Sequence, residues 1–265
     1  MRMRTIAVAN EKGGVGKTVT VINLAAALTR NHQKVLVIDM DPQANATKGL
    51  GFELENGQPS IYDVIQPNGA IPAADAIVSS QWDGLDLIPS HVDLSGAEVE
   101  LVDIQGRENR LKNALSDLDR DYDFILLDTP PSLSLLTVNV FSYARWVLIP
   151  CQTHPYAFQA LAELCDTVDI IREEINSDID ILGILPTFYD PRTRVSQSIL
   201  TQLQKDDRYS RFVLNTIVRS NTTIAESAVV GKPVVFFRSG SYGAIDYNDL
   251  AEELLEMAVL NSNPN

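Results

Sequence analysis

EKGGVGKT, residues 11–18, stands between two stretches of different period. Before it, residues 5–10 (TIAVAN) form a short, largely apolar run, as a buried parallel strand requires. After it, residues 19–30 place Val21, Leu24, Ala25 and Leu28 on one face of a helix. The order is strand, glycine-rich turn, helix N-terminus. Gly13, Gly14 and Gly16 let the backbone turn tightly and bring N–H groups close to a polyphosphate. Val15 and Val19 complete the loop, and the dipole and unpaired N–H groups of the following helix act in the same direction. Lys17 has the reach for β- and γ-phosphates, and the Thr18 hydroxyl is a ligand for Mg²⁺.

The rest of the chain repeats the alternation. Residues 35–39 (VLVID) and 124–128 (FILLD) are apolar runs that each end in aspartate, and further strands are expected at 85–89, 146–150 and 179–186. Helical patterns fall between them at 60–65 (capped by Ser60), 72–79, 94–103, 107–118 and 155–175, with a last one at 245–260. The pattern predicts an α/β fold, a doubly wound, mostly parallel sheet flanked by helices, and one domain over residues 1–265. Asp39 and Asp41 then lie at the carboxyl edge of the sheet, where such folds place ligands. A helix-capping pair is the plainer reading of those two. Asp128 follows four apolar residues, a position that suits a carboxylate facing a ligand or capping a helix.

The loop does not meet the general pattern G-x-x-x-x-G-K-[ST], because Asn10 or Glu11 occupies the first glycine position. It meets K-G-G-x-G-K-[ST] in full, the deviant Walker A box, with Lys12 as the extra lysine. With 35–47 (VLVIDMDPQANAT) and 124–132 (FILLDTPPS), it makes the chain resemble the ParA/MinD family of P-loop ATPases over residues 5–237, the Soj/ParA branch most closely. The resemblance implies an ATPase using ATP and Mg²⁺ that alternates between monomer and ATP-sandwiched homodimer. It implies that Lys12 reaches the partner's phosphates, that Asp41 handles the attacking water, and that Asp128 and Asp39 support the magnesium shell with Thr18. It places nucleotide-base contacts near TFYD (187–190) and 218–220. It further implies non-specific DNA binding on the nucleoid, a ParB-like or other adaptor, a cytoplasmic location and a plasmid, chromosome or other cargo. Two departures stand out: Val19 replaces a second threonine, and 218–223 reads VRSNTT where Soj-like proteins read I-P-R-N-x-R.

The net charge of −14 argues against DNA binding by the protein as a whole. Charge is uneven, however. Residues 51–128 hold 16 Asp/Glu against 4 Lys/Arg, a solvated face or a dock for a basic partner. Residues 187–240 hold eight Lys/Arg against four acids, and Arg192, Arg194, Arg219, Lys232 and Arg238 are the candidate phosphate contacts there. Chance clustering of surface charge is the competing reading. Cys151 and Cys165 form no CxxC and no cluster with the three histidines, which points to reduced core thiols. No run of 18 apolar residues occurs, and the acidic last helix would be repelled by anionic lipid, so no membrane partner is expected. A MinD-like membrane-positioning ATPase and a P-loop metabolic ligase or kinase remain the alternative classes.

Overall fold

A computed structural model describes residues 4–260 apart from 56, 117, 119 and 120. One sheet of seven strands organises it: β1 Arg4–Val8, β2 Val35–Asp39, β3 Val78–Ser79, β4 Leu85–Ile88, β5 Phe124–Asp128, β6 Trp146–Gln152 and β7 Asp180–Thr187. Their order across the sheet is β3-β4-β2-β5-β1-β6-β7, and every pairing is parallel except the two-residue edge pair β3–β4. β1 is therefore an interior strand between β5 and β6, and β5 separates it from β2. Register sets Asp128 opposite Val8 on one side and opposite Asp39 on the other.

The strands are apolar on both faces because both faces are covered. Ile6, Val8, Val35, Val37, Phe124 and Leu126 point to the layer built by the first helix, α1 (Lys17–Arg30), and the C-terminal helix Tyr242–Leu260. Leu36, Ile38, Ile125 and Leu127 point to the opposite layer, where Ala157–Glu174 and Leu135–Tyr143 pack. Within α1, Val21, Leu24, Ala25 and Leu28 are fully buried, as their spacing requires. Each such leucine contributes about 1.5–3 kcal/mol of burial.

Several elements differ from the sequence expectation. Residues 72–79 are not one α-helix: Ala73–Ala76 is a 3₁₀ turn, and the chain then extends into β3. The region 107–118 divides into a 3₁₀ turn, Arg107–Asn109, and a short helix, Arg110–Leu115. Ser60 caps Ile61–Ile65 in a reciprocal box with Asp63. Helices Leu135–Tyr143, Arg194–Lys205 and Thr222–Val229 were not foreseen. The expected tail at 261–265 lies outside the described residues.

Candidate phosphate-binding site

The loop after β1 closes directly onto α1. Gly14 and Gly16 hold left-handed backbone angles, φ +76° and +97°, which a side chain would strain. Gly16 is the residue immediately before the helix, so the first unpaired N–H groups of α1 open at the loop. The cradle is pinned from three neighbouring segments. The Asn10 amide donates to the Pro150 carbonyl at 2.8 Å. The Thr187 hydroxyl donates to the Val15 carbonyl at 2.9 Å, and the Thr129 hydroxyl to the Val8 carbonyl at 2.9 Å. A cleft of about 620 Å³ opens over it, lined by Gly13, Lys17, Thr18, Asp41, Lys48 and Phe188 among others. That volume lies within the range of small-molecule sites.

Lys17 is buried, and its ammonium donates to the Lys12 carbonyl at 3.4 Å. Burial pushes its pKa down, while the Asp128 and Asp41 carboxylates pull it back up. Lys12 is half-buried and is not among the residues lining the cleft; its ammonium lies 5.9 Å from the centre of the exposed Tyr156 ring. Such a cation–π contact at an exposed site is worth only about 0.5–1 kcal/mol, so Lys12 is lightly held. Tyr156 carries no signal in the sequence, since it lies in a loop 144 positions away from Lys12.

The three carboxylates have separate surroundings. Asp39 is fully buried and already engaged. Its Oδ2 accepts the Thr47 N–H at 2.8 Å and the Thr47 hydroxyl at 2.7 Å, and its Oδ1 accepts the Asp41 N–H at 3.1 Å. Burial pushes its pKa up to about 6 despite those donors. Asp39 thus shapes the turn carrying Asp41. Asp41 lines the cleft and accepts the Gln43 N–H at 2.9 Å. Asp128 is fully buried, and neither of its oxygens has a hydrogen-bond partner of normal geometry. Burial, then the charge of Asp39, hold its carboxyl well above the usual carboxylate range; the neighbouring Thr18 hydroxyl and Lys17 oppose them. An orphaned buried carboxylate beside a hydroxyl and a lysine fits a hydrated divalent cation, which would satisfy the oxygens left unpaired.

The two segments expected to meet the base do come together. Tyr189 and Arg219 form a backbone bridge, and a second, apolar cavity of about 200 Å³ opens between Phe188 and Val218. The basic segment is weaker than its composition suggests. Arg192 is 88% exposed but paired with Asp190 at 2.9 Å, Arg208 is paired with Asp166, and Arg238 lies 3.9 Å from Glu226. Arg219 corrects the sequence reading: its guanidinium is spent on buried Asp246 and is not a free surface cation. Among the described residues, Arg194 and Lys232 carry no ion pair.

A parallel sheet with this loop after an interior strand, beside carboxylates that end the next two strands β5 and β2, defines a P-loop nucleotide-binding protein. Comparison with known proteins narrows the class. A family model described as an AAA domain matches residues 3–181. Sporulation initiation inhibitor protein Soj of Bacillus subtilis is 39% identical over 251 residues, 95% of this chain and 98% of that one. Chromosome partitioning protein ParA of Myxococcus xanthus is 38% identical over 96% of this chain and 88% of its own. Among solved structures, a protein named cobyrinic acid a,c-diamide synthase from Mycobacterium smegmatis, with ADP and magnesium bound, superposes with a TM-score of 0.82. It is 36% identical over 96% of this chain and 94% of that one. The chain belongs to the ParA/MinD family of P-loop ATPases. No helix among the described residues is long and apolar enough to cross a membrane.

Proposed function

We propose that this chain, acting as a single ATPase domain in the cytoplasm, couples an ATP-dependent monomer–dimer cycle to DNA-supported positioning of a cargo. The observation that carries the reading is the division of labour between two lysines of one loop. Lys17 is buried and lines the cleft beside Asp128, whereas half-buried Lys12 does not line it and is met by the exposed Tyr156 ring. A lysine that only neutralised its own subunit's phosphates would face inward; one that serves a partner's site must be free to leave.

In this reading the loop N–H groups and Lys17 hold the β- and γ-phosphates, and Thr18 with Asp128 holds magnesium. The metal supplies charge neutralisation at the phosphates. Asp41 orients and receives a proton from the attacking water, and Asp39 keeps the Asp41 turn in place through Thr47. Lys12 of each subunit completes the charge stabilisation across the interface, in the manner of an arginine finger. Val19 offers no hydroxyl, so the loop relies on its backbone donors there. Dimerisation doubles the phosphate contacts offered by Arg194, Lys232 and the exposed Arg192, giving non-specific, salt-sensitive DNA binding by the nucleoid-bound state. A ParB-like adaptor or other partner would stimulate turnover.

The test is light scattering and calorimetry on Lys12→Ala. The variant is expected to bind ATP as a monomer and fail to dimerise; a normal ATP-dependent dimer refutes the assignment. One observation favours a second reading: a relative 36% identical carries the name of an amide-forming synthase. Sustained ATP turnover with no acceptor molecule present separates the positioning ATPase from a ligase.

A further inference from the structure

The apolar cavity beside the phosphate cleft is lined by Val19, Phe188, Val218, Ile224, Ala225 and Tyr247, among others. It shares Gly16, Val19 and Phe188 with the cleft, so a group tethered to bound phosphates can enter it. Its volume and apolar walls suit a flat, weakly polar ring such as a nucleobase. The wall at 218–221 belongs to no strand or helix. It is held partly by backbone hydrogen bonds: Val218 N–H to Pro186 at 2.9 Å, Tyr189 N–H to Val218 at 3.1 Å and Ser220 N–H to Tyr189 at 2.9 Å.

The remaining hold comes from the far end of the chain. Asp246, 3% exposed on the C-terminal helix, accepts the Arg219 backbone N–H at 2.9 Å and the Arg219 Nε–H at 3.0 Å, and also pairs with a terminal guanidinium nitrogen. The guanidinium then lies 4.1 Å from the Tyr242 ring centre, one turn earlier on the same helix. The next residue, Tyr247, lines the cavity itself, and its hydroxyl shares a hydrogen bond with Thr20 of α1 at 3.3 Å. A buried carboxylate taking several charge-assisted bonds from one residue fixes that residue far more firmly than neutral bonds would.

We propose that Asp246 is a positioning residue for nucleotide binding: through Arg219 it holds the wall of the cavity that receives the nucleobase. It thereby sets nucleotide affinity from the C-terminal helix without contact to the phosphates. The inference rests on the ATP-binding reading above. Losing the carboxylate's charge frees the wall, and the base then has to order it on binding, which lowers affinity. A clamp that merely stapled the helix to the body would lower stability and leave the balance between ligands unaltered.

The experiment is calorimetry with Mg-ATP and with inorganic tripolyphosphate on the wild type, Asp246→Asn and Ala225→Phe. Asp246→Asn is expected to weaken ATP binding about tenfold, with tripolyphosphate binding and saturated turnover within about twofold of wild type. Ala225 is exposed on its helix, so a ring there fills the cavity without threatening the core, and it too should weaken ATP alone. Unchanged ATP affinity in Asp246→Asn, or parallel loss of both ligands, overturns the proposal. Unchanged ATP affinity in Ala225→Phe overturns the cavity as the base site and the proposal with it. Failure of the wild type to bind either ligand refutes the phosphate-site reading instead.

Discussion

Replacing Asp128 by asparagine should make the nucleotide-free protein more stable and nearly blind to magnesium. The wild-type carboxylate is fully buried, stands in register with buried Asp39 and has both oxygens unpaired. A buried unsatisfied polar group costs about 1–3 kcal/mol, and more when charged. An amide of the same shape carries no charge and can donate toward Asp39 rather than repel it. For a chain near this size, about 1 kcal/mol moves the melting temperature by about 2–4 °C, so a rise of several degrees is expected. The sign also depends on pH. Because the folded-state pKa of Asp128 is raised, the wild type is least penalised below the unfolded value of about 4 and loses stability as pH climbs. The advantage of the variant should therefore be largest near neutrality and shrink toward pH 4. Ligand response reverses the ranking: Mg-ATP at about 100 times its dissociation constant adds about 2.7 kcal/mol to the wild type, most of which the variant should lack. Scanning calorimetry with and without Mg-ATP reads both effects. An apo variant that melts below wild type would show that the carboxylate is structural, and a full Mg-ATP shift would show that it does not hold the metal.

Lys17→Ala should abolish ATP binding, since the phosphates lose the buried cation that lines the cleft; calorimetry showing normal affinity would refute that role. Asp41→Ala should bind ATP and accumulate as a dimer while hydrolysis stops, and wild-type phosphate release would remove Asp41 from the chemistry. Arg194→Glu should weaken ATP-dependent DNA binding and flatten its salt dependence by about one phosphate contact, measured by fluorescence anisotropy against salt. Protein that ignores DNA at low salt with ATP present would make the basic segment a solvated face.

The central strands β2 and β5 were readable to the residue because a strand buried on both faces is an unbroken apolar run, and Val35–Asp39 and Phe124–Asp128 are such runs. The phosphate loop was readable because its chemistry is local: eight consecutive residues supply turn, cation and hydroxyl. Helix Leu135–Tyr143 escaped because it has little polar face, with Leu136, Thr137, Asn139, Val140, Phe141 and Ser142 all buried. The expectation at 72–79 failed because Pro72 and the alanines allow one tight turn and then extended chain, which pairs with β4. The hydrogen-bond partners of Asp39 and Arg219 were not readable because they are remote in sequence. Thr47 lies eight positions from Asp39, and Asp246 lies 27 from Arg219. Periodicity reports which face is buried; it does not report which donor meets which acceptor across the fold.

The pinning of the phosphate loop by Asn10, Thr187 and Thr129 has a consequence for timing. A loop that must order itself around its ligand captures in two steps, an encounter followed by slow consolidation. Here the cradle is assembled beforehand, with Lys17 resting on the Lys12 carbonyl. Nucleotide capture is therefore expected to follow a single exponential whose rate rises linearly with nucleotide concentration. Any slow phase in a stopped-flow trace then belongs to the meeting of two subunits, and should quicken with protein concentration rather than with nucleotide.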